Sequence, residues 1–149
     1  MKPVKTCILV ADGAHARAYL NDGPGKGISE LTKFARDLDL KASRDIDADR
    51  QGRTFDSGGQ GRHAMESPTD SKRHSKQEFH RQLSGDVEAA LNAGEFDRLV
   101  LVAPPATLGD LRQGFSKGSA DKIYGELAKD LVKASENELL EQLGNVLAV

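Results

Sequence analysis

The sequence has very little of several features that would narrow its class. Its single cysteine, Cys7, rules out a disulfide within the chain and suits a reducing compartment. It has no tryptophan, and its net charge of only −2 means that a nucleic-acid-binding surface would have to be a local patch. No apolar run approaches the roughly 20 residues of a membrane span, and the first apolar stretch ends at Asp12, too early for a signal peptide. These absences predict a cytoplasmic protein with no membrane partner.

The residues that are present suffice for one small domain. The chain has 149 residues, of which 38% are apolar and 30% are charged. That length favours a single domain over residues 1–149, and that composition allows a modest core under a heavily solvated surface.

The first forty residues are predicted to form a meander of three strands. Thr6–Ala11 is a compact apolar run, Asp12 and Gly13 signal a turn, and residues 14–20 fit the return strand of a hairpin. A second glycine-rich turn follows, without the glycine spacing of a phosphate-binding loop. Residues 28–38 are then predicted to be the third strand.

The second half of the chain is predicted to alternate helices and strands. Apolar residues from Phe79 to Leu91 recur at helical spacing, after a polar lead-in over residues 71–76. Residues 98–103 form a buried strand that two prolines stop, and Thr107 is predicted to cap a short helix over residues 108–115.

The last forty residues contain one ambiguous segment and one clear helix. Residues 123–132 fit either a helix or a strand, and we favour a strand. Ser135 and Glu138 have the spacing of a capping box, ahead of a leucine stripe that ends at Leu147. The complete order predicts an α/β fold, a mixed five-stranded sheet with flanking helices.

Between the meander and the first helix lies a segment that is poor in apolar residues. From residue 41 to residue 78 the only large apolar residues are Ile46, Phe55 and Met65. Such a segment cannot bury enough surface to offset its ordering entropy, so residues 41–70 are predicted to be a long flexible loop.

The loop carries the tripeptide Gly58-Gly59-Gln60. The glycines let the backbone reach positive φ and approach another molecule closely. Gln60 has no useful acid–base chemistry, but its amide can position a water molecule and donate a hydrogen bond to developing negative charge.

These segments carry a resemblance to a known family. Their order, with Gly58-Gly59-Gln60 in a long loop and Arg73-His74 in the lead-in of a basic helix, resembles the middle domain of archaeal and eukaryotic class-1 peptide-chain release factors over residues 4–147. Residues 101–112 look more closely like the signature of the bacterial proteins "required for attachment to host cells", which are grouped with homologues of that domain. The resemblance implies a fold that is ribonuclease-H-like or like the release-factor middle domain.

The release-factor resemblance also implies an activity. Gln60 would position the water that hydrolyses the peptidyl-tRNA ester on the ribosome, and Gly58 and Gly59 would allow the backbone conformation. Contacts to ribosomal RNA would come from basic residues near the loop: Arg62, His63, Lys72, Arg73, His74, Lys76 and Arg81. The implied partners are the ribosome and peptidyl-tRNA, with no cofactor. The alternative is a non-catalytic binding or regulatory protein associated with bacterial attachment to host cells.

Four acids in the loop imitate a calcium-binding loop. Asp45, Asp47, Asp49 and Asp56 have a similar spacing, but Arg50 stands where such a loop needs glycine, and the bidentate glutamate is missing. A solvated loop is therefore the better interpretation, and we predict no metal site.

Four other residues that could act as metal ligands or nucleophiles are better explained as structural residues. His74 and His80 lie six positions apart, on different faces of a helix, so they are poor joint ligands. Asp12 ends the first strand, where ribonuclease-H-like nucleases carry a metal-binding acid, but no second acid is identifiable and an Asp-Gly turn accounts for it. Cys7 lies within a strand and is predicted to be a small buried residue.

Overall fold

The computed structural model describes residues 3–39 and 68–149, and side chains in the first helix from residue 71 onward. Gly58, Gly59, Gln60, Arg62 and His63 lie outside the described residues, as does the predicted loop up to residue 67. The described strands are β1 (Thr6–Ala11), β2 (His15–Asn21), β3 (Ser29–Glu30), β4 (Arg36–Asp37), β5 (Arg98–Val102) and β6 (Ile123–Leu127). The described helices are α1 (Pro68–Asn92), α2 (Pro105–Gln113), α3 (Lys117–Ala120) and α4 (Glu136–Leu143), with a 3-10 helix at Thr32–Phe34.

The strands form one mixed sheet. Its order is β3-β2-β1-β5-β6, and β4 pairs with the other end of β2. β1 runs antiparallel to β2 and parallel to β5, which in turn runs parallel to β6. The predicted α/β class and mixed sheet with flanking helices are therefore confirmed.

The prediction of a single third strand over residues 28–38 was wrong, and the described residues form a sheet of six strands where five were predicted. β3 and β4 are separated by the 3-10 helix, which turns Phe34 into the core. Phe34 is 3% exposed and meets Phe96 edge-on, with ring centroids 6.4 Å apart. Burying this ring stabilises the interruption between β3 and β4. Local residue preferences gave no sign of that interruption.

Both faces of the sheet are covered by helices. Alternate residues of the central strands point to opposite sides, so Leu9 and Leu101 pack with α1 and α2, while Ile8 and Val100 pack with α4. Cys7 is fully buried, as predicted, and burial raises the pKa of its thiol to about 12. The thiol stays protonated at neutral pH and is not a nucleophile there.

The first helix agrees with its predicted stripe. Phe79, Leu83, Val87 and Leu91 are all buried on one side of α1. The helix begins at Pro68, inside the predicted loop, and the chain leaves it through Gly94, whose φ of +81° suits glycine.

The predicted first residue and N-cap of α2 were wrong. The helix begins at Pro105, with Pro104 at its N-cap, and Thr107 lies inside the first turn instead of capping it. Proline is favoured at the first helical position because its fixed φ suits the helix and its missing N–H needs no partner there. The short helix α3 was not predicted, since four residues containing glycine and serine carry almost no periodic signal.

The C-terminal predictions were largely confirmed. The segment that was predicted to be a strand over residues 123–132 does form one, but the strand ends at residue 127. The chain turns there, because the Lys129 N–H donates a hydrogen bond to the Leu127 carbonyl. The Ser135 hydroxyl oxygen accepts a hydrogen bond from the Glu138 N–H at 3.2 Å, and Leu139, Leu143 and Leu147 are buried. No helix in the described part of the chain is long and apolar enough to cross a membrane.

Candidate functional site

The sheet has a topological switch point between β1 and β5. From β1 the chain continues to one side through β2, and from β5 it continues to the other side through α2, α3 and β6. In open α/β sheets, ligands bind outside the carboxyl ends of the strands at such a point. The carboxyl ends of β1 and β5, at Ala11 and Val102, lie at the same edge because these strands are parallel.

A shallow cleft of about 360 Å³ opens at this edge, and we call it the edge cleft. It is lined by the β1–β2 turn (residues 12–15), Lys76 of α1, Pro104 and Thr107 at the start of α2, and Asp130. The β1–β2 turn, α1, α2 and the segment after β6 therefore each contribute polar groups to one concave surface.

The turn side of the edge cleft is organised by Asp12. Its Oδ1 accepts hydrogen bonds from the N–H groups of Ala14 at 2.8 Å and His15 at 2.7 Å, and the His15 ring Nδ1 lies 3.0 Å away. Burial alone would raise the pKa of Asp12, but these hydrogen bonds outweigh it and lower the pKa. Asp12 is thus an ionised residue that holds the turn, in agreement with the predicted Asp-Gly turn.

Behind the edge cleft, a buried histidine joins three elements. His80 is 1% exposed, and its Nε2 lies 2.8 Å from the backbone carbonyl oxygen of Asp12. Because a carbonyl can only accept, Nε2 donates this hydrogen bond. The other nitrogen, Nδ1, lies 3.2 Å from Asp110 Oδ2, so that one shared proton bridges the two side chains. The pair fixes α1 and α2 to the β1–β2 turn.

Sequence reasoning did not identify the His80–Asp110 pair. His80 was considered as a joint ligand with His74, and the two residues do lie on different faces of α1, because His80 is buried and His74 is exposed. The available signal was that His80 directly follows Phe79 on the buried side of α1. Its partner is 30 residues away, beyond the reach of any spacing rule.

The predicted RNA-binding residues that the structure describes do not share one surface. Lys76 lies at the edge cleft, where its Nζ is 3.3 Å from the position that a Cβ would take on Gly13. His74 and Arg81 line a separate groove between α1 and α2. Arg73 Nη2 is 4.0 Å from Asp110 Oδ1 at that groove.

Acidic partners reduce the cationic character of the groove. Arg81 pairs with Glu78 at 2.9 Å, and Asp110 also lines the groove. Lys72 is half-buried on α1 and lines neither surface. Within residues 3–39 and 68–149, no group of three or more histidine, cysteine, aspartate or glutamate side chains is placed to hold a metal ion.

The family model described as "Protein required for attachment to host cells" matches residues 7–143. The chain belongs to this family. The match to the host-attachment family runs from the second residue of β1 to the last residue of α4, so it includes the whole edge cleft and the His80–Asp110 pair. No curated protein matches the chain at a significant level.

Proposed function

We propose that this member of the host-attachment family is a non-catalytic binding or regulatory protein, and that the edge cleft is its binding site. The observation that carries the proposal is the placement of a polar cleft at the switch point, where the acid–base side chains in and behind it are engaged by the protein itself. Asp12 is held by backbone N–H groups, and His80 and Asp110 are bonded to each other. Such groups keep a cleft in shape, whereas a general acid or base must reach a substrate proton.

The proposal explains why α1, α2 and the β1–β2 turn are joined at one point. A binding cleft that is formed before its ligand arrives loses less entropy on binding. His80 fixes the three elements that line the edge cleft through hydrogen bonds at 2.8 Å and 3.2 Å.

The test is complementation of a strain that lacks the gene, scored as adherence to host cells. The wild-type chain and Lys117→Met are expected to restore adherence, because Lys117 is exposed on α3 and away from the edge cleft. Lys76→Met removes the same charge from the edge cleft and is expected to fail at equal protein levels. Full restoration by Lys76→Met would contradict the proposal.

A second proposal rests on the sequence. Gly58-Gly59-Gln60 lies ahead of α1, as in the release-factor middle domain, and would act on peptidyl-tRNA at the ribosome. An antiparallel meander followed by two parallel strands supports the finer assignment to a ribonuclease-H-like or release-factor-like fold. Both proposals place the chain in the cytoplasm.

Gln60→Ala distinguishes the two proposals. In the ribosomal proposal the wild-type chain co-sediments with ribosomes and cleaves the ester of ribosome-bound peptidyl-tRNA, and the variant loses cleavage but still binds. In the binding proposal Gln60→Ala restores adherence like the wild type. Absence of ribosome binding by the wild-type chain would eliminate the ribosomal proposal.

A further inference from the structure

The start of α2 presents uncompensated hydrogen-bond donors at the edge cleft. Pro104 occupies the N-cap and has no side-chain acceptor, and Pro105 has no N–H. The Leu108 N–H is the first to bond, to the Pro104 carbonyl at 2.9 Å, which leaves the N–H groups of Ala106 and Thr107 without a partner among the described residues. No acidic side chain lies in the first turn, so nothing there offsets the positive end of the helix dipole.

Thr107 provides an independent observation at the same place. This residue lines the edge cleft and is only 5% exposed, yet its hydroxyl has no hydrogen-bond partner within the described ranges 3–39 and 68–149. Leaving a buried hydroxyl unpaired is unfavourable, and native structures contain few such groups without a reason. A ligand that accepts a hydrogen bond in the edge cleft would satisfy it.

Lys76 adds a positive charge to the same cleft. Its ammonium group lies over Gly13, where the missing Cβ leaves room for it, and it forms no ion pair with any carboxylate in the described part of the chain. Two acids also line the edge cleft. Asp12 is surrounded by N–H donors that offset its charge, and Asp130 is exposed to solvent, which screens it.

We propose that the edge cleft binds the phosphate group of a small ligand, either free phosphate or a phosphate monoester such as a nucleotide. The N–H groups of Ala106 and Thr107, the Thr107 hydroxyl and the Lys76 ammonium are its donors. Helix N-termini bind phosphate through this combination of free N–H groups and dipole. This inference rests on the proposed function and specifies its ligand.

The test is an NMR titration of the full ¹⁵N-labelled chain with inorganic phosphate, adenosine monophosphate, and sodium chloride at matched ionic strength. Phosphate and the nucleotide, but not chloride, are expected to shift the amide signals of Gly13 and Thr107. Tighter binding of the nucleotide would indicate a phosphate monoester as the ligand, and equal binding would indicate free phosphate. Equal shifts with chloride, or no shifts with either phosphate compound, would overturn the proposal.

Matched variants separate binding from folding. Thr107→Val is expected to weaken phosphate binding about fivefold, and Lys76→Met about tenfold. Thr107→Ser retains the hydroxyl, and Lys117→Met leaves the edge cleft intact, so both should bind like the wild type. Wild-type affinity in Thr107→Val and Lys76→Met would overturn the assignment of donors.

Thermal unfolding supplies a second readout for Thr107→Val. Its melting temperature is expected to equal or exceed that of the wild type, because the lost hydroxyl has no partner in the fold. A marked drop would show that the hydroxyl bonds within the protein and would overturn its role as a donor.

The failure of this inference can be distinguished from the failure of the proposed function. If phosphate does not bind while Lys76→Met still abolishes adherence, the ligand class is wrong and the binding site stands.

Discussion

Replacing Asp110 with alanine is expected to lower the free energy of unfolding by about 2–3 kcal/mol, since it leaves one nitrogen of the buried His80 ring without its hydrogen-bond partner. Asp110 Oδ2 lies 3.2 Å from Nδ1 of His80, and their side chains are 11% and 1% exposed. Without the carboxylate, one imidazole nitrogen stays buried and unpaired. Urea denaturation of the wild type and the variant measures the difference.

Two variants identify the origin of that loss. Asp110→Asn can donate from its amide to Nδ1 while Nε2 still donates to the Asp12 carbonyl, so it is expected to lose only about 1 kcal/mol. Arg73→Met removes the weaker 4.0 Å contact to Asp110 and should change stability by less than about 0.5 kcal/mol. If Asp110→Ala were as stable as the wild type, His80 would not depend on Asp110.

Gly114→Ala is expected to lower the free energy of unfolding by about 2 kcal/mol through overpacking. A Cβ at this position would lie 2.6 Å from the Cβ of Ser84 and 3.4 Å from the backbone Cα of Arg81. Ser84 cannot move away freely, because it is fully buried and its hydroxyl donates to the Leu111 carbonyl at 2.9 Å. Thermal and urea unfolding measure the effect.

Gly118→Ala is the matched control. Gly118 lies in α3 with no neighbouring atom within 4 Å of a Cβ, and the φ of Gly114 is an ordinary −81°, so only the steric surroundings differ. Gly118→Ala is expected to be neutral or to stabilise by about 0.5 kcal/mol. Equal effects of the two substitutions on the free energy of unfolding would mean that Gly114 does not pack closely against Ser84 of α1.

The elements that sequence patterns predicted correctly are those formed by interactions between residues close in sequence. The apolar run of Thr6–Ala11, the stripe from Phe79 to Leu91 and the Ser135 cap each depend on residues close in sequence, and all three are present. The break between β3 and β4 depends on Phe34 meeting Phe96 across the core. No local pattern contains that contact.

The site was less predictable for the same reason. The Asp12 turn was identified correctly, since the hydrogen bonds of the Asp12 side chain reach only Ala14 and His15. The His80–Asp110 pair and the placement of Lys76 and Thr107 in one cleft both depend on tertiary structure, so no spacing in the sequence predicts them. The sequence drew attention instead to Gly58-Gly59-Gln60, whose role stays a prediction outside the described residues.

The most direct test of the edge cleft as the functional site is host-cell adherence of a strain whose only copy of the gene carries Thr107→Val, at matched protein levels. Thr107 is buried and lines the edge cleft, so the substitution removes one hydroxyl from the cleft and leaves the rest of the surface unchanged. We predict a protein at least as stable as the wild type that restores adherence only in part, because its ligand binding is weakened about fivefold. Full adherence with this variant would contradict the account.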